Sequence, residues 1–232
     1  MIKMKKKENH SSPKTQRMRR QRKIRRDAII GEAEKSFIEK GYNDTTVDQI
    51  ALDAGYTKAS IYNYFESKDD MFAAVLAKIY ERMYEIFDKF FKEQGSNIRL
   101  RHTGDAHFKF INNYPGQAEL LDSGRCTIIS RGILEKEEKG QELTESETEY
   151  KQGEAKVGML LIEIIKKTLK KYGVEDKVSP LKVIKALAAL NPVILSIIKT
   201  GKSVGQTDEQ IEQTLSVLFN IIEQGVKNYE EL

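Results

Sequence analysis

The chain has 232 residues, 32% of them charged and 39% in the hydrophobic class, a balance suited to helices that bury one face and charge the other. That length admits one large domain or two smaller ones, with enough chain to bury a substantial core. No run approaches the roughly 18 to 20 uninterrupted apolar residues of a membrane span, the basic N-terminus lacks a signal's apolar core, and Cys126 stands alone. A cytoplasmic location with no disulfide and no membrane partner is expected.

The formal net charge of +4 conceals an asymmetry. Between Met1 and Arg26 twelve Lys and Arg residues face only Glu8, giving +11 there and −7 over the rest. A basic arm on an acidic body suits a polyanion bound at one end, or a solvated tail that aids solubility. Residues 1–21 are polar and nearly devoid of apolar side chains, so they are expected to be a disordered basic arm.

A first helix is predicted from about Arg22 to Lys40, with Ile29, Ile30, Ala33, Phe37 and Ile38 at helical spacing and Gly41 as a left-handed cap. Thr45 to Asp48 reads as a capping box opening a second helix, whose Val47, Ile50, Ala51 and Ala54 share one face. Gly55 ends it, and Thr57 caps a third helix through about Phe65 with Ile61 inward. Ser67 to Asp70 opens a long fourth helix to about Gln94, striped by Met71, Phe72, Val75, Ile79, Met83, Ile86, Phe87 and Phe90. Further helices are expected at 103–113, 116–122, 124–139, 144–172, 180–200 and 207–229, punctuated by Pro115, Gly173, Gly201 and Gly205. Nothing alternates as strands do, so the fold class is all-α.

Two short helices joined through Gly55 have the size of a helix-turn-helix, whose second helix enters the major groove of DNA. The outward residues of the third helix are Lys58, Ala59, Ser60, Tyr62, Asn63 and Tyr64: a cation, small residues that allow close approach, a hydroxyl, an amide and two phenols. That set matches what phosphates and base edges require. Tyr62 and Tyr64 have a second reading as packing residues, whereas Tyr56 and Phe65 read as core.

At these residues the chain resembles the TetR family of regulators. The resemblance runs through Phe37-Ile38-Glu39-Lys40-Gly41-Tyr42, Thr45-Thr46-Val47-Asp48-Gln49-Ile50-Ala51, Ala54-Gly55-Tyr56-Thr57-Lys58-Ala59-Ser60-Ile61-Tyr62-Asn63-Tyr64-Phe65 and Ser67-Lys68-Asp69-Asp70-Met71. It covers about fifty residues. Departures are Ala59 where the family commonly has Gly, Asn63 where it has His or Tyr, and the polar Glu32, Glu34 and Ser36; the first two bear on which operator is read. The resemblance implies a three-helix DNA-binding domain at 22–76 and a larger helical effector-binding and dimerisation domain at 77–232. It also implies a homodimer on a double-stranded operator, with a small-molecule effector that releases a repressor. Carried over, Thr46, Thr57, Tyr62, Tyr64 and Lys68 are expected at phosphates, and Lys58, Ala59, Ser60 and Asn63 at bases. The arm would follow the backbone or the adjacent minor groove.

The last two helices are the candidate dimer interface, through Leu190, Ile194, Ile197, Leu215, Leu218 and Ile222, although the same stripes could complete the subunit core. A pocket lined by Met83, Phe87, Phe108, Phe110, Tyr114, Leu121, Ile129, Met159 and Ile162 would suit a hydrophobic or acyl-type ligand; plain core is the simpler reading of those residues. His102, Asp105 and His107 lack the i, i+4 spacing of a zinc pair, and no Walker loop, nucleotide fingerprint or nucleophile elbow is present. Cys126 reads as a buried structural thiol. No cofactor, metal site or catalytic group is expected. A constitutive DNA-binding protein without effector, or an enzyme in the helical body, are the competing classes.

Overall fold

A computed structural model describes residues 12–229. Among them every regular element is helical, and the chain divides into two compact units, 1–68 and 69–232. The division falls at the first turn of the fourth helix, eight residues ahead of the boundary expected at 76/77.

The first unit holds α1 (Pro13–Asp44), α2 (Val47–Asp53) and α3 (Lys58–Ile61). α1 begins nine residues before the expected start, which corrects the expectation of disorder for 13–21; residues 1–11 of that arm lie outside the described residues. The cause is local. Ser12 accepts the Thr15 amide at 3.3 Å, Pro13 occupies the first helical position, and the Lys, Arg, Gln and Met residues that follow are good helix formers. At the other end Gly41 takes φ 75° and ψ 170°, a positive-φ break rather than the expected left-handed helical cap, and the chain resumes helical turns to Asp44. Ile29, Ile30, Ala33 and Phe37 are buried with Ile50, Ala51, Ile61 and Phe65, as their spacing requires.

The capping residue of α2 is Thr46, one position beyond the expected Thr45. Its hydroxyl accepts the Gln49 amide at 3.2 Å. Thr45 is buried instead, its hydroxyl within 2.7 Å of the Gly41 carbonyl and 3.0 Å of the Ser36 carbonyl, which ties the end of α1 to the start of α2.

The second unit contains α4 (Lys68–Gln94, whose first residue belongs to the first unit), a 3-10 turn at Gly95–Asn97, α5 (Arg101–Asn113), α6 (Pro115–Asp122), α7 (Gly124–Glu138), α8 (Glu145–Tyr172), α9 (Pro180–Ala189), α10 (Asn191–Ser203) and α11 (Asp208–Lys227). The helix expected over 180–200 is two helices, because Pro192 has no amide to donate and starts a new one. α5 packs on α11 so closely that Gly104 leaves no room for a Cβ, which would lie 2.1 Å from the Phe219 ring. Beside that seam the buried Glu223 accepts the Arg101 amide at 3.2 Å and the Tyr172 hydroxyl, drawing α5, α8 and α11 together.

α9 and α10 together are apolar and long enough, by composition, to meet the length of a membrane span, with mean hydropathy 1.8 over a window only 28% buried. The low burial leaves an exposed apolar face. On α11 the face of Ile211, Leu215, Phe219 and Glu223 is buried, while Val217 and Ile221 on the other side are 60% and 65% exposed. Of the six residues expected at a dimer interface, Ile194 and Leu215 therefore belong to the subunit core; Leu190, Ile197, Leu218 and Ile222 are half-buried.

Candidate nucleic-acid interface and ligand cavity

In the first unit α2 closes through a pair of bonds that fixes the turn before α3: Gly55 N–H to the Leu52 carbonyl at 3.1 Å and Tyr56 N–H to the Ala51 carbonyl at 2.8 Å. Gly55 takes φ 75°, which a side chain would strain. Thr57 then caps α3, its hydroxyl accepting the Ser60 amide at 3.2 Å. α3 is one turn, shorter than expected; beyond Ile61 the chain continues in tighter turns, with Tyr64 and Phe65 both donating to the Ile61 carbonyl. Ile61 and Phe65 are buried and anchor the segment from beneath.

The surface this leaves outward is polar. Thr46, Thr57, Lys58, Ala59, Tyr62 and Asn63 are exposed, while Ser60, Tyr64 and Lys68 are half-buried. Ser60 shares a 2.9 Å hydroxyl contact with Thr57, which occupies it in the cap. Tyr64 lies under the Arg22 guanidinium, 5.1 Å from its ring, which favours its packing reading, and Arg22 also reaches the Asn63 carbonyl at 3.5 Å. Lys68 sits 4.2 Å over the Tyr42 ring and 3.4 Å from the Asn43 carbonyl. Lys58 is bonded to Asp48 at 2.7 Å, and that hydrogen bond and charge raise its pKa further above the ordinary lysine value. Arg22 and Asp48 are members of this surface that sequence reasoning missed. Both are visible in the sequence as charges, but only the fold brings them to α3.

The charge of this unit suits a polyanion. Residues 1–68 carry 16 Lys and Arg against 9 Asp and Glu, or +7, and residues 69–232 carry 23 against 26, or −3.

The second unit contains a partly open cavity of about 270 Å3 among α4, α5, α6, α8, α9 and α10. Of the residues expected to line a pocket, Met83, Phe110 and Leu121 do. Phe87, Phe108 and Ile129 are buried elsewhere in the core, Met159 is 62% exposed, Tyr114 lies 5.0 Å under Arg82, and Ile162 is half-buried away from the lining. Helical spacing identifies inward faces correctly but does not say which inward residue meets a void. The polar lining residues Tyr80, His107, Asp122, Glu154 and Asn191 escape sequence reasoning for the same reason.

Cys126 is buried, and desolvation pushes its thiol pKa up. Its sulfur lies 3.7 Å from the Tyr150 hydroxyl, which meets Ser130 at 2.6 Å. Nothing in that arrangement generates a thiolate. Among the described residues no three His, Cys, Asp or Glu side chains cluster as metal ligands would.

The family model described as "Bacterial regulatory proteins, tetR family" matches residues 29–75. The transcriptional repressor BepR of Brucella suis is 42% identical over 53 residues, 23% of this chain and 25% of that protein. The regulator HbdR of Aromatoleum is 44% identical over 55 residues, 24% of each. The chain thus spans about a quarter of the length of these relatives. Solved structures are similar over far more of it. A TetR-family regulator from Syntrophomonas wolfei superposes with TM-score 0.63 at 19% identity, over 88% of this chain and 96% of that one. The transcriptional regulator FadR of Bacillus subtilis, in complex with stearoyl-CoA, does so with TM-score 0.56 at 16% identity, over 88% and 98%. At these identities the likeness is one of fold.

Proposed function

We propose that this chain, whose residues 29–75 match the family model of the tetR-type bacterial regulatory proteins, is a sequence-specific repressor that binds its operator as a homodimer and leaves it when a small molecule fills the cavity. The observation that carries the DNA-binding part is the outward surface of 57–63. Thr57, Lys58, Ala59, Tyr62 and Asn63 are exposed on a segment that buried Ile61 and Phe65 hold in place. Asn63 pairs with an adenine edge, Ala59 offers its methyl to a thymine, and Lys58 exchanges Asp48 for a base or phosphate. Thr46, Thr57 and Tyr62 supply hydroxyls to phosphates, Lys68 a cation, and Arg22 extends the positive edge from α1. Ser60 and Tyr64 support this surface more than they read it, given their partners in the cap and under Arg22.

The cavity favours a sensor over a constitutive DNA-binding protein, whose body would have no use for a void of that size. Release then follows if the ligand-bound body favours a different spacing of the two reading heads, a shift between populations.

Selection of binding sites from random DNA tests the reading. The expected product is an inverted repeat, with half-sites spaced by about one helical turn or a multiple of it. Asn63→Ala should relax one base position, by about 1–3 kcal/mol of discrimination, and leave the rest of the site intact. A pool with no enriched sequence would overturn the reading.

A further inference from the structure

The cavity is chemically one-sided. Its walls are apolar, with Met83, Phe110, Leu161 and Leu195 all buried, and its ionisable acids are Asp122 and Glu154. Among the described residues no lysine or arginine is in the lining. Asp122 and Glu154 line the cavity and are also exposed to solvent. Three basic side chains on the surrounding helices have partners outside the lining: Lys151 with Glu137, Lys199 with Glu119 at 2.9 Å, and Arg82 with the Tyr114 ring.

The remaining polar groups extend the bias. His107 Nδ1 lies 2.7 Å from the Thr103 carbonyl, which only accepts, so the ring proton is on Nδ1 and Nε2 is an acceptor. Burial lowers the His107 pKa and raises that of Tyr80, keeping both neutral at pH 7. Burial also raises the Glu154 pKa above the ordinary carboxylate value, more than the nearby charge of Lys151 lowers it.

We infer that the effector is a lipophilic cation, an alkyl or aryl ammonium whose apolar body fills the cavity while Asp122 and Glu154 hold its charge at the mouth. This deepens the sensor reading and rests on it. A cation entering here exchanges water for two carboxylates and the aromatic side chains of Tyr80 and Phe110. A fatty acid or an acyl thioester with its phosphates would surrender hydration to a lining that offers it no cationic donor among the described residues. That chemistry argues against the acyl-type ligand expected from the apolar residues alone, and separates this chain from the stearoyl-CoA-bound FadR that shares its fold.

Octyltrimethylammonium and octanoate, titrated calorimetrically into the full chain at pH 8, carry the same tail with opposite heads. The cation should bind at least tenfold more tightly. Paired substitution of Glu154→Gln and Asp122→Asn should weaken it tenfold or more, with the unfolding midpoint of each protein recorded to show that it is folded. Glu154→Lys should transfer the preference to octanoate. Equal or tighter binding of octanoate by the unaltered chain, failure of octyltrimethylammonium to bind, or indifference to the carboxylate changes would each overturn the cation assignment. Operator release separates the two readings. A cation that binds by way of the carboxylates yet leaves operator affinity unchanged upholds the site's chemistry and sinks the sensor, whereas release by octanoate alone does the reverse.

Discussion

His102 and His107 sit one turn and a half apart on α5 and are held in opposite tautomers. His102 Nδ1 accepts the Arg99 amide at 3.0 Å, so its proton is on Nε2; His107 carries its proton on Nδ1, toward the Thr103 carbonyl. Burial lowers both pKa values, with Arg101 adding to the effect at His102 and Glu223 opposing it. For His102 a second proton would also displace the Arg99 amide. In the unfolded chain both rings take up protons near the ordinary value of about 6.5, whereas the folded chain resists. The unfolded state thus binds more protons as pH falls, and stability is lost below about pH 6.5, by at most about 1.4 kcal/mol per pH unit for each ring. Asp105 and Glu154, whose pKa values burial raises, act in the opposite sense when they protonate at lower pH. Thermal unfolding from pH 8 to pH 5.5 should show a midpoint that falls below pH 6.5. His107→Gln should make that fall shallower, and a midpoint flat across the range in the unaltered chain would contradict the assignment.

At the scale of elements, the helices follow their sequence signals closely where those signals are strongly periodic, and less closely at the ends. The stripe of α4 is buried through Met71, Phe72, Val75, Ile79, Met83 and Phe87, and the box at Thr144 closes on Glu147 in both directions. The start of α2 is ambiguous in sequence by one residue because two adjacent threonines offer the same cap chemistry, and only burial distinguishes Thr45 from Thr46. α1 outruns its apolar stripe because a helix needs propensity and a cap before it needs an apolar face, so low hydrophobicity alone does not imply disorder. That longer α1 carries Lys14, Arg17, Arg19 and Arg20 on a helix in line with Arg22, instead of on a loose tail. Removing residues 1–21 should therefore weaken operator binding and reduce the slope of log K against log salt by about 0.9 for each phosphate that the segment neutralises. An unchanged slope would take the segment out of the interface. Within the second unit the α5–α11 seam depends on Gly104. Gly104→Ala places a methyl into the Phe219 ring, an overpacking that typically costs about 1–3 kcal/mol. Urea midpoints should fall accordingly, and adding Phe219→Leu should restore part of the loss. Additive destabilisation by the two changes would show that they do not meet.

At the scale of the whole molecule, α9, α10 and α11 leave apolar side chains exposed. Leu181, Val193, Val217 and Ile221 are each 44% exposed or more, and half-buried Leu190, Ile197, Leu218 and Ile222 lie on the same helices. Exposed apolar side chains concentrated on neighbouring helices mark a candidate interaction surface. A second copy of the chain is the economical occupant, because two-fold pairing of α10 and α11 makes a four-helix bundle from a self-complementary patch. The two sides of α11 then separate folding from association. Leu215 and Ile211 hold the subunit together, whereas Val217 and Ile221 project away from it. Val217→Glu with Ile221→Glu should give a monomer by sedimentation velocity with helical circular dichroism retained, and should weaken operator binding by at least tenfold, since each half-site would have to be held alone. Leu215→Glu should instead unfold the second unit by burying an unpaired charge. If the double variant stays dimeric, the pairing lies on another face; if Leu215→Glu yields a folded monomer, the division of α11 into an inner and an outer side is wrong.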